Sequence, residues 1–439
     1  MKKVVKFGGS SLADARQFEK AGEIIKSDPD RSYVVPSAPG KRFEGDTKVT
    51  DMLLEAYRIA AEGSDPHRQL MAIKDRYQEI IDQLNLSIRL DEDFDQIEES
   101  LKKEPSLDFA ASRGEQLNGK LMANYLGYCF IEPAENIFFD QDGFLDMNKT
   151  ERVLGKSLAG VEKAVIPGFY GCGFDGRVKT FSRGGSDVTG SVVAAVAGAD
   201  VYENWTDVSG FMVADPRIIH NPVSIDTLTY RELRELSYMG ASVLHEDAIF
   251  PVRSKGIPIN IKNTNAPDAE GTWIVESTAR KPQFTITGIA GKKGFCAVSI
   301  TKDLMNSEIG FGRKVLQSFE DNGISFEHMP SGIDTMTIVV HEDEFLHKEQ
   351  AVVSEIHRLT RPDQVEIESD LALIAVVGRG MKSMRGTAGR IFSALAHAHI
   401  NVRMMDQGSS ELNIIIGVAN EDFEGAIKAI YDIFVTINL

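Results

Sequence analysis

The 439-residue chain holds only three cysteines, two tryptophans and nine histidines, and each scarcity closes a route. Cys129, Cys172 and Cys296 stand far apart and form no Cys-x-x-Cys pair. That leaves no disulfide framework and fits a reducing compartment. The histidines are scattered and no His/Cys/Glu grouping has zinc spacing, so transition-metal catalysis is not expected and no protein-built metal site is assigned. No Gly-x-Ser-x-Gly elbow occurs, which disfavours acyl transfer through a serine triad. Apolar runs stay below the ~18 residues that span a bilayer. The opening Met1-Lys-Lys-Val-Val-Lys6 runs into glycines without an apolar signal region, so the expected location is the cytoplasm. Basic residues are the minority, 48 against 65 acidic, for a net charge of −17. A surface of that sign repels phosphate backbones, and neither a nucleic-acid nor an anionic-membrane partner is expected.

What is present supports several cores, since 42% of residues are hydrophobic and a chain of this length allows about three domains at ~150 residues each. The densest chemistry lies in Thr180-Phe-Ser-Arg-Gly-Gly-Ser-Asp187, between an apolar strand pattern at Ala164–Phe169 and an apolar helix pattern at Val192–Ala197. Glycines at such a junction let backbone N–H groups approach an anion, and Arg183 offers a two-pronged grip on a carboxylate or phosphate.

A second glycine turn, Gly8-Gly-Ser-Ser11, follows the strand Val4–Phe7 and precedes a helix over Ala13–Lys26. With Lys6 beside it, the turn suits a phosphate, although a tight structural turn has the same signature. Further along come a strand at Ser32–Ser37, a polar Gly40–Lys48 loop read as a lid, and Thr50-Asp51 capping a helix over Met52–Ala61. The charges of the amphipathic helix Leu70–Leu84 read as solvated. Ser112-Arg-Gly-Glu115 reads as the start of a helix over Leu117–Leu126, which would make Glu115 a first-turn carboxylate. Gly171-Cys-Gly-Phe-Asp-Gly176 matches a dinucleotide fingerprint, but a strand pattern follows it, so it reads as a hairpin turn. The remaining expectations are a strand at Val201–Asp207, helices at Tyr230–Tyr238 and from Met239 to His245, and a strand at Ile257–Lys262. Strand–helix alternation to about residue 275 describes an α/β fold with a mostly parallel sheet.

The remainder repeats. A shift of 76 residues puts Val298 on Ile374, Gly310 on Gly386, Ile324 on Ile400 and Ile338 on Ile414 without a gap. Each copy reads as a βαββαβ module whose glycine loop feeds a helix N-terminus, a place suited to a small carboxylate.

Taken in order, Lys6-Phe-Gly-Gly-Ser-Ser11, Ser37-Ala38, Thr50-Asp51, Ser112-x-Gly-Glu115, Ser182-Arg-Gly-Gly-Ser-Asp187, Trp205-Thr-Asp-Val208, Ala214-Asp-Pro-Arg217 and Gly240-Ala-x-Val-Leu-His245 resemble the aspartate kinase family over nearly the whole chain. The resemblance implies an amino-acid-kinase domain at 1–280, a carbamate-kinase-like αβα sandwich. It implies two ferredoxin-like ACT domains after it, at 281–365 and 366–439. The implied reaction is transfer of the ATP γ-phosphoryl group to the side-chain carboxylate of L-aspartate, with Mg²⁺ held mainly by the phosphates. Lys6 and Asp187 would be catalytic. Ser37, Thr50, Glu115, Arg183 and Ser186 would hold aspartate, with Arg183 on its α-carboxylate and Glu115 on its ammonium. Lys6, Gly8, Gly9, Ser10, Thr206, Asp207, Met212 and Arg217 would hold ATP. Met305, Ser307, Phe311, Ser325, Glu327 and Ser331 align with the region where feedback inhibitors sit, lysine being the leading effector and Glu327 the partner of its ammonium. A homodimer or homotetramer through the ACT modules is implied.

The sequence departs from the family pattern at Met212, where many relatives have Tyr, at Ser242, where many have Lys, and at Glu246, where Pro is usual. Lys255 or Lys262 is the expected substitute cation. The rival readings are a glutamate-type amino-acid kinase and a non-catalytic amino-acid sensor. A kinase–dehydrogenase is not expected, since nothing follows the second module.

Overall fold

The computed structural model describes residues 1–436 other than 183, 242, 245 and 281. The chain divides into two compact units, one of Met1–Phe211, Asp226–Arg231 and Val243–Thr278, the other of Met212–Ile225, Glu232–Ser242 and Ala279–Leu439.

The first unit is built on strands β1 (Lys3–Phe7), β2 (Arg31–Pro36), β3 (Cys129–Phe130), β4 (Ala164–Val165), β5 (Tyr170–Cys172), β6 (Val178–Thr180), β7 (Val201–Thr206), β8 (Thr227–Thr229), β9 (Ile259–Asn263) and β10 (Thr272–Val275). Eight of them form one sheet in the order β3-β4-β2-β1-β7-β9-β10-β8, while β5 and β6 make a separate hairpin. Every pairing in the large sheet is parallel except β9 with β10.

The helices of this part of the chain are α1 (Ala15–Ser27), α2 (Val49–Ala61), α3 (His67–Gln83), α4 (Asp91–Lys103), α5 (Leu107–Leu126), α6 (Pro133–Asn136), α7 (Met147–Ala159), α8 (Gly185–Ala197), α9 (Tyr230–Tyr238) and α10 (Ile249–Ser254). Side chains alternate across a strand, and here the alternation separates two environments. Val5, Phe7 and Trp205 join a core with residues of α1 through α5. Lys6 and Asn204 point the other way, toward the start of α8.

Four expectations need correction here. Helix α5 begins at Leu107, capped by Ser106 accepting from the Phe109 N–H, so Glu115 lies in its interior and gains nothing from the helix N-terminus. Helix α2 begins at Val49 without a side-chain cap, which places Thr50 inside its first turn. Arg76 on α3 is not solvated but 5% exposed, in step with Ile73, Tyr77 and Ile80 on the buried face. Met239 and Gly240 form a turn, with Gly240 at φ +102, and the next helical turn starts only at Glu246. His245, at the end of that stretch, lies outside the described residues.

The second unit contains β11 (Gly288–Thr301), β12 (Phe326–His328), β13 (Thr335–His341), β14 (Gln364–Val377), β15 (Met404–Asp406) and β16 (Asn413–Ala419). Its helices are α11 (Phe311–Glu320), α12 (Glu342–Phe345), α13 (Glu349–Thr360), α14 (Thr387–His397) and α15 (Phe423–Phe434). The strands form a single sheet in the order β12-β13-β11-β14-β16-β15. The long strands β11 and β14 belong to both halves. Phe295–Thr301 of β11 pairs with β13, whereas Gly288–Lys293 pairs with Ala372–Val377 of β14, whose other edge pairs with β16. The later module therefore takes its fourth strand from the first half of β11, whose second half serves the earlier one. Gly310 and Gly386, both left-handed, cap the equivalent helices α11 and α14. The internal repeat is not gapless, because Phe326 of β12 corresponds to Met404 of β15, two residues beyond a 76-residue shift.

Candidate active site

In a parallel α/β sheet the carboxyl ends of the strands are where backbone N–H groups and loop side chains converge, and here β1, β2 and β7 deliver the site. After β1 the chain makes a 3-10 turn over Gly9–Leu12. After β2 it runs through Ser37–Gly40, and the two segments lie backbone to backbone, with the Gly40 N–H donating to the Gly9 carbonyl at 2.8 Å. A Cβ on Gly40 would come within 2.5 Å of the Gly9 carbonyl carbon, and one on Gly9 within 2.8 Å of the Ala38 oxygen. Only glycine permits that approach.

The Ser37–Gly40 strip is held from beneath. Asn118 donates to the Ser37 carbonyl at 2.6 Å. Buried Arg76 donates to the carbonyls of Gly40 and of Thr47, the latter at 2.7 Å, and so pins both ends of the loop read as a lid. Asp46, beside Arg42 and Arg76, has its carboxyl held far below the usual range by those cations. The Val49 N–H donates to the Pro39 carbonyl at 3.2 Å, which brings Thr50 to the same place.

At the centre Lys6 Nζ lies 2.6 Å from Asp187 Oδ1, both largely buried. Asn204, the neighbour of Lys6 across the β1–β7 pairing, donates to the same Asp187 oxygen at 2.9 Å. Gly184, left-handed at φ +58, turns the chain into α8 and puts Ser186 and Asp187 in its first turn. Arg183 lies outside the described residues.

Glu115, inside α5, faces the Ala38 N–H of the Ser37–Gly40 strip. It is 6% exposed, and burial pushes its carboxyl up from 4.5 to about 8, partly offset by the N–H of Ala38 and by its own. Among the described residues its Oε2 has no hydrogen-bond partner, so a buried polar atom is left unsatisfied by the protein. At the end of β7, Thr206 bonds Asp207 at 3.3 Å, and its carbonyl accepts from Thr264.

Met212 and Arg217 fall in the second unit, where Met212 bridges Ser224 and Arg217 is held by Asp215 at 2.5 Å. Lys255 is engaged by Glu151 at 2.9 Å. Lys262 donates to the Ala269 carbonyl at 2.9 Å beside the Trp205 ring. In the second unit Met305 and Phe311 pack in the apolar core around Val315 and Phe319. The Glu327 side chain is 7% exposed, with His341 Nε2 at 3.2 Å, while Ser307, Ser325 and Ser331 are exposed. Among the described residues no three His, Cys, Asp or Glu side chains form a metal cluster, and no helix is long and apolar enough to cross a membrane.

Sequence reasoning missed Arg76, Asn118 and Asn204, the three residues that hold the cradle in shape. Arg76 was detectable as a cation in register with an apolar helix face, and Asn204 as an amide inside a central buried strand.

A glycine-lined cradle around an ion-paired lysine, at the carboxyl edge of a parallel sheet, has the form that suits a phosphorylated ligand. Residues 1–263 match the amino acid kinase family and residues 374–434 an ACT domain. The chain belongs to the amino acid kinase family and, within it, to the aspartokinases. It is 42% identical to Aspartokinase 3 of Bacillus subtilis (strain 168), the alignment covering 98% of each chain. The aspartate kinase of Clostridium acetobutylicum superposes with a TM-score of 0.89 at 50% identity, over 99% of this chain and 100% of that one. E. coli aspartokinase III, solved with aspartate and ADP, shares the fold at a TM-score of 0.78 and 24% identity, over 99% of both chains. The same enzyme solved with lysine and aspartate gives 0.72 over 98% and 99%.

Proposed function

We propose that this protein is an aspartate kinase, transferring the γ-phosphoryl group of ATP to the side-chain carboxylate of L-aspartate to give 4-phospho-L-aspartate. That product opens the route to lysine, threonine and methionine. The observation that carries the reading is the Lys6–Asp187 pair set inside the Gly8–Ser10 and Ser37–Gly40 cradle.

The acceptor carboxylate is ionised at neutral pH, so no general base is needed and catalysis consists of alignment and charge neutralisation. Lys6, with the N–H groups of Gly9 and Ser10, stabilises negative charge on the group in transfer; the Gly8 N–H, expected to join them, is taken by the Trp205 carbonyl at 3.0 Å. Asp187 orients Lys6, and Asn204 fixes Asp187. Arg183 takes the α-carboxylate of aspartate, Glu115 its ammonium, and Ser37, Thr50 and Ser186 give hydroxyl contacts. The unsatisfied Glu115 oxygen supports an ammonium partner. Thr206 and Asp207 hold the nucleotide, and we assign Met212 and Arg217 to it also.

Mg²⁺ would be carried mainly by the phosphates, as a hard cation with few protein ligands of its own. Bound there it would neutralise phosphate charge, with Asp187 the nearby carboxylate.

We assign residues 1–280 to catalysis and 281–365 and 366–439 to regulation, and place the protein in the cytoplasm as a homodimer or homotetramer. Lysine is the proposed effector, supported by its presence in the E. coli structure, with Met305, Ser307, Phe311, Ser325, Glu327 and Ser331 forming or flanking its site. A hydroxamate assay with ATP, Mg²⁺ and either aspartate or glutamate tests the assignment. Product with aspartate alone is expected, and turnover of glutamate only, or of neither, refutes it.

A further inference from the structure

Asp108 stands in the first turn of α5 but does not cap it, since Ser106 does that. Its carboxylate crosses instead to the β5–β6 hairpin. Oδ1 accepts from the Thr180 hydroxyl and from the Thr180 N–H at 3.3 Å, and Oδ2 from Lys179 Nζ at 3.0 Å. Seven residues separate Asp108 from Glu115, two helical turns, so both lie on one face of α5, about 10 Å apart along its axis. Thr180 is also the first residue of the stretch that ends at Asp187. That stretch is therefore tied to the helix of Glu115 at its start and to Lys6, at 2.6 Å, at its end.

Asp108, Ala111, Thr180, Ser182 and Val188 line one cleft of about 1250 Å³, so this tie borders open space on the way to the acceptor loop. Arg177 at the far end of the hairpin has a different anchor, Glu104 at 2.8 Å, with both side chains about two-thirds exposed.

We infer that Asp108 is a positioning residue of the acceptor site, holding Ser182 and Ser186 in register with Glu115 through Thr180 and so setting the enzyme's affinity for aspartate. The inference rests on the acceptor-site reading given above. Groups such as Ser186 and Glu115 that contact one small zwitterion must keep a fixed spacing, and a misplacement of about 1 Å costs up to ~100-fold. Asp108 fixes that spacing without touching the substrate.

Steady-state kinetics on the full-length enzyme tests this, with both substrates varied. Asp108→Ala should raise the aspartate KM about tenfold or more while the ATP KM and kcat stay within about twofold. Asp108→Asn, which keeps an oxygen for Thr180, should restore most of the affinity. Thr180→Val should raise the aspartate KM by itself and add little on the Asp108→Ala background, as coupled residues do. Glu104→Ala, which frees the other end of the hairpin, should leave both KM values unchanged. The inference is overturned if Asp108→Ala shifts the two KM values alike, if Glu104→Ala reproduces its effect, or if the two acceptor-side substitutions are additive. Should Asp108→Ala not fold, an unaltered aspartate KM in Thr180→Val overturns it equally. Glu115→Ala run alongside separates the levels. No change there overturns the acceptor-site reading and this inference with it, whereas a rise there with none in Asp108→Ala overturns only the inference.

Discussion

Glu115 gives the account its sharpest pH dependence. Burial moves its carboxyl from 4.5 to about 8, and at about 1.4 kcal/mol per pH unit, holding it ionised in the empty site costs roughly 5 kcal/mol. At pH 7 about one empty site in ten therefore carries the carboxylate. An arriving ammonium pairs with the ionised form, so binding aspartate at pH 7 should expel most of one proton. The aspartate KM should fall about tenfold from pH 6 to pH 7, fall more slowly toward pH 8 and then level. The sign for stability is opposite. Between pH 4.5 and about 8 the folded protein holds a proton that the unfolded chain has lost, so its unfolding free energy declines as pH rises through that window. Glu115→Gln removes both effects. The empty variant should be more stable than the wild type above pH 8, by at most roughly 5 kcal/mol, and should bind aspartate without proton release and at least ~100-fold more weakly. Calorimetric titration in two buffers of different ionisation heat measures the proton directly. Binding with no proton exchange at pH 7, together with a flat KM from pH 6 to 8, would refute the reasoning.

Other consequences are equally direct. Lys6→Met and Asp187→Asn should each lower kcat about 100- to 1,000-fold with a small change in aspartate KM, and the double variant should be little worse than either, because the two act as one pair at 2.6 Å; additive losses measured by coupled assay would contradict the pairing. Gly40→Ala drives a methyl to 2.5 Å from backbone on the opposing turn, where no side chain can yield, and should cost about 1–3 kcal/mol of stability together with most of the activity, read by thermal melting and turnover; wild-type values in both would show that the cradle can open. Glu327→Ala should keep full activity yet blunt inhibition by lysine, and an unchanged inhibition curve would remove Glu327, now seen packed against His341, from the effector site.

How far the sequence reached depends on which interactions are local. Strands β1, β2 and β7 and helix α9 follow from apolar periodicity, and the Gly171–Gly176 hairpin from its turn glycines. Glu115 was legible as a motif residue and not as the interior of a long helix. Ser106 is the residue that starts α5, and Asp108 looks like an ordinary first-turn acid until Thr180 is seen beside it. The roles of Arg76 and Asn204 depend on partners 36 and 17 residues away, which neither periodicity nor spacing encodes. The repeat of the second unit was visible as a register of apolar residues. Its interleaving was not, because the strand that completes the later module is supplied by residues 288–293, the first half of the strand that also serves the earlier one, and a shifted sequence carries no trace of pairing.

A crystal structure with aspartate and a non-hydrolysable ATP analogue bound together tests the central claim. The account predicts the aspartate ammonium on Glu115, and its side-chain carboxylate facing the terminal phosphate beside Lys6 and Asp187, over the glycines of the first turn. Aspartate bound away from Glu115, or the terminal phosphate out of reach of Lys6, would contradict it.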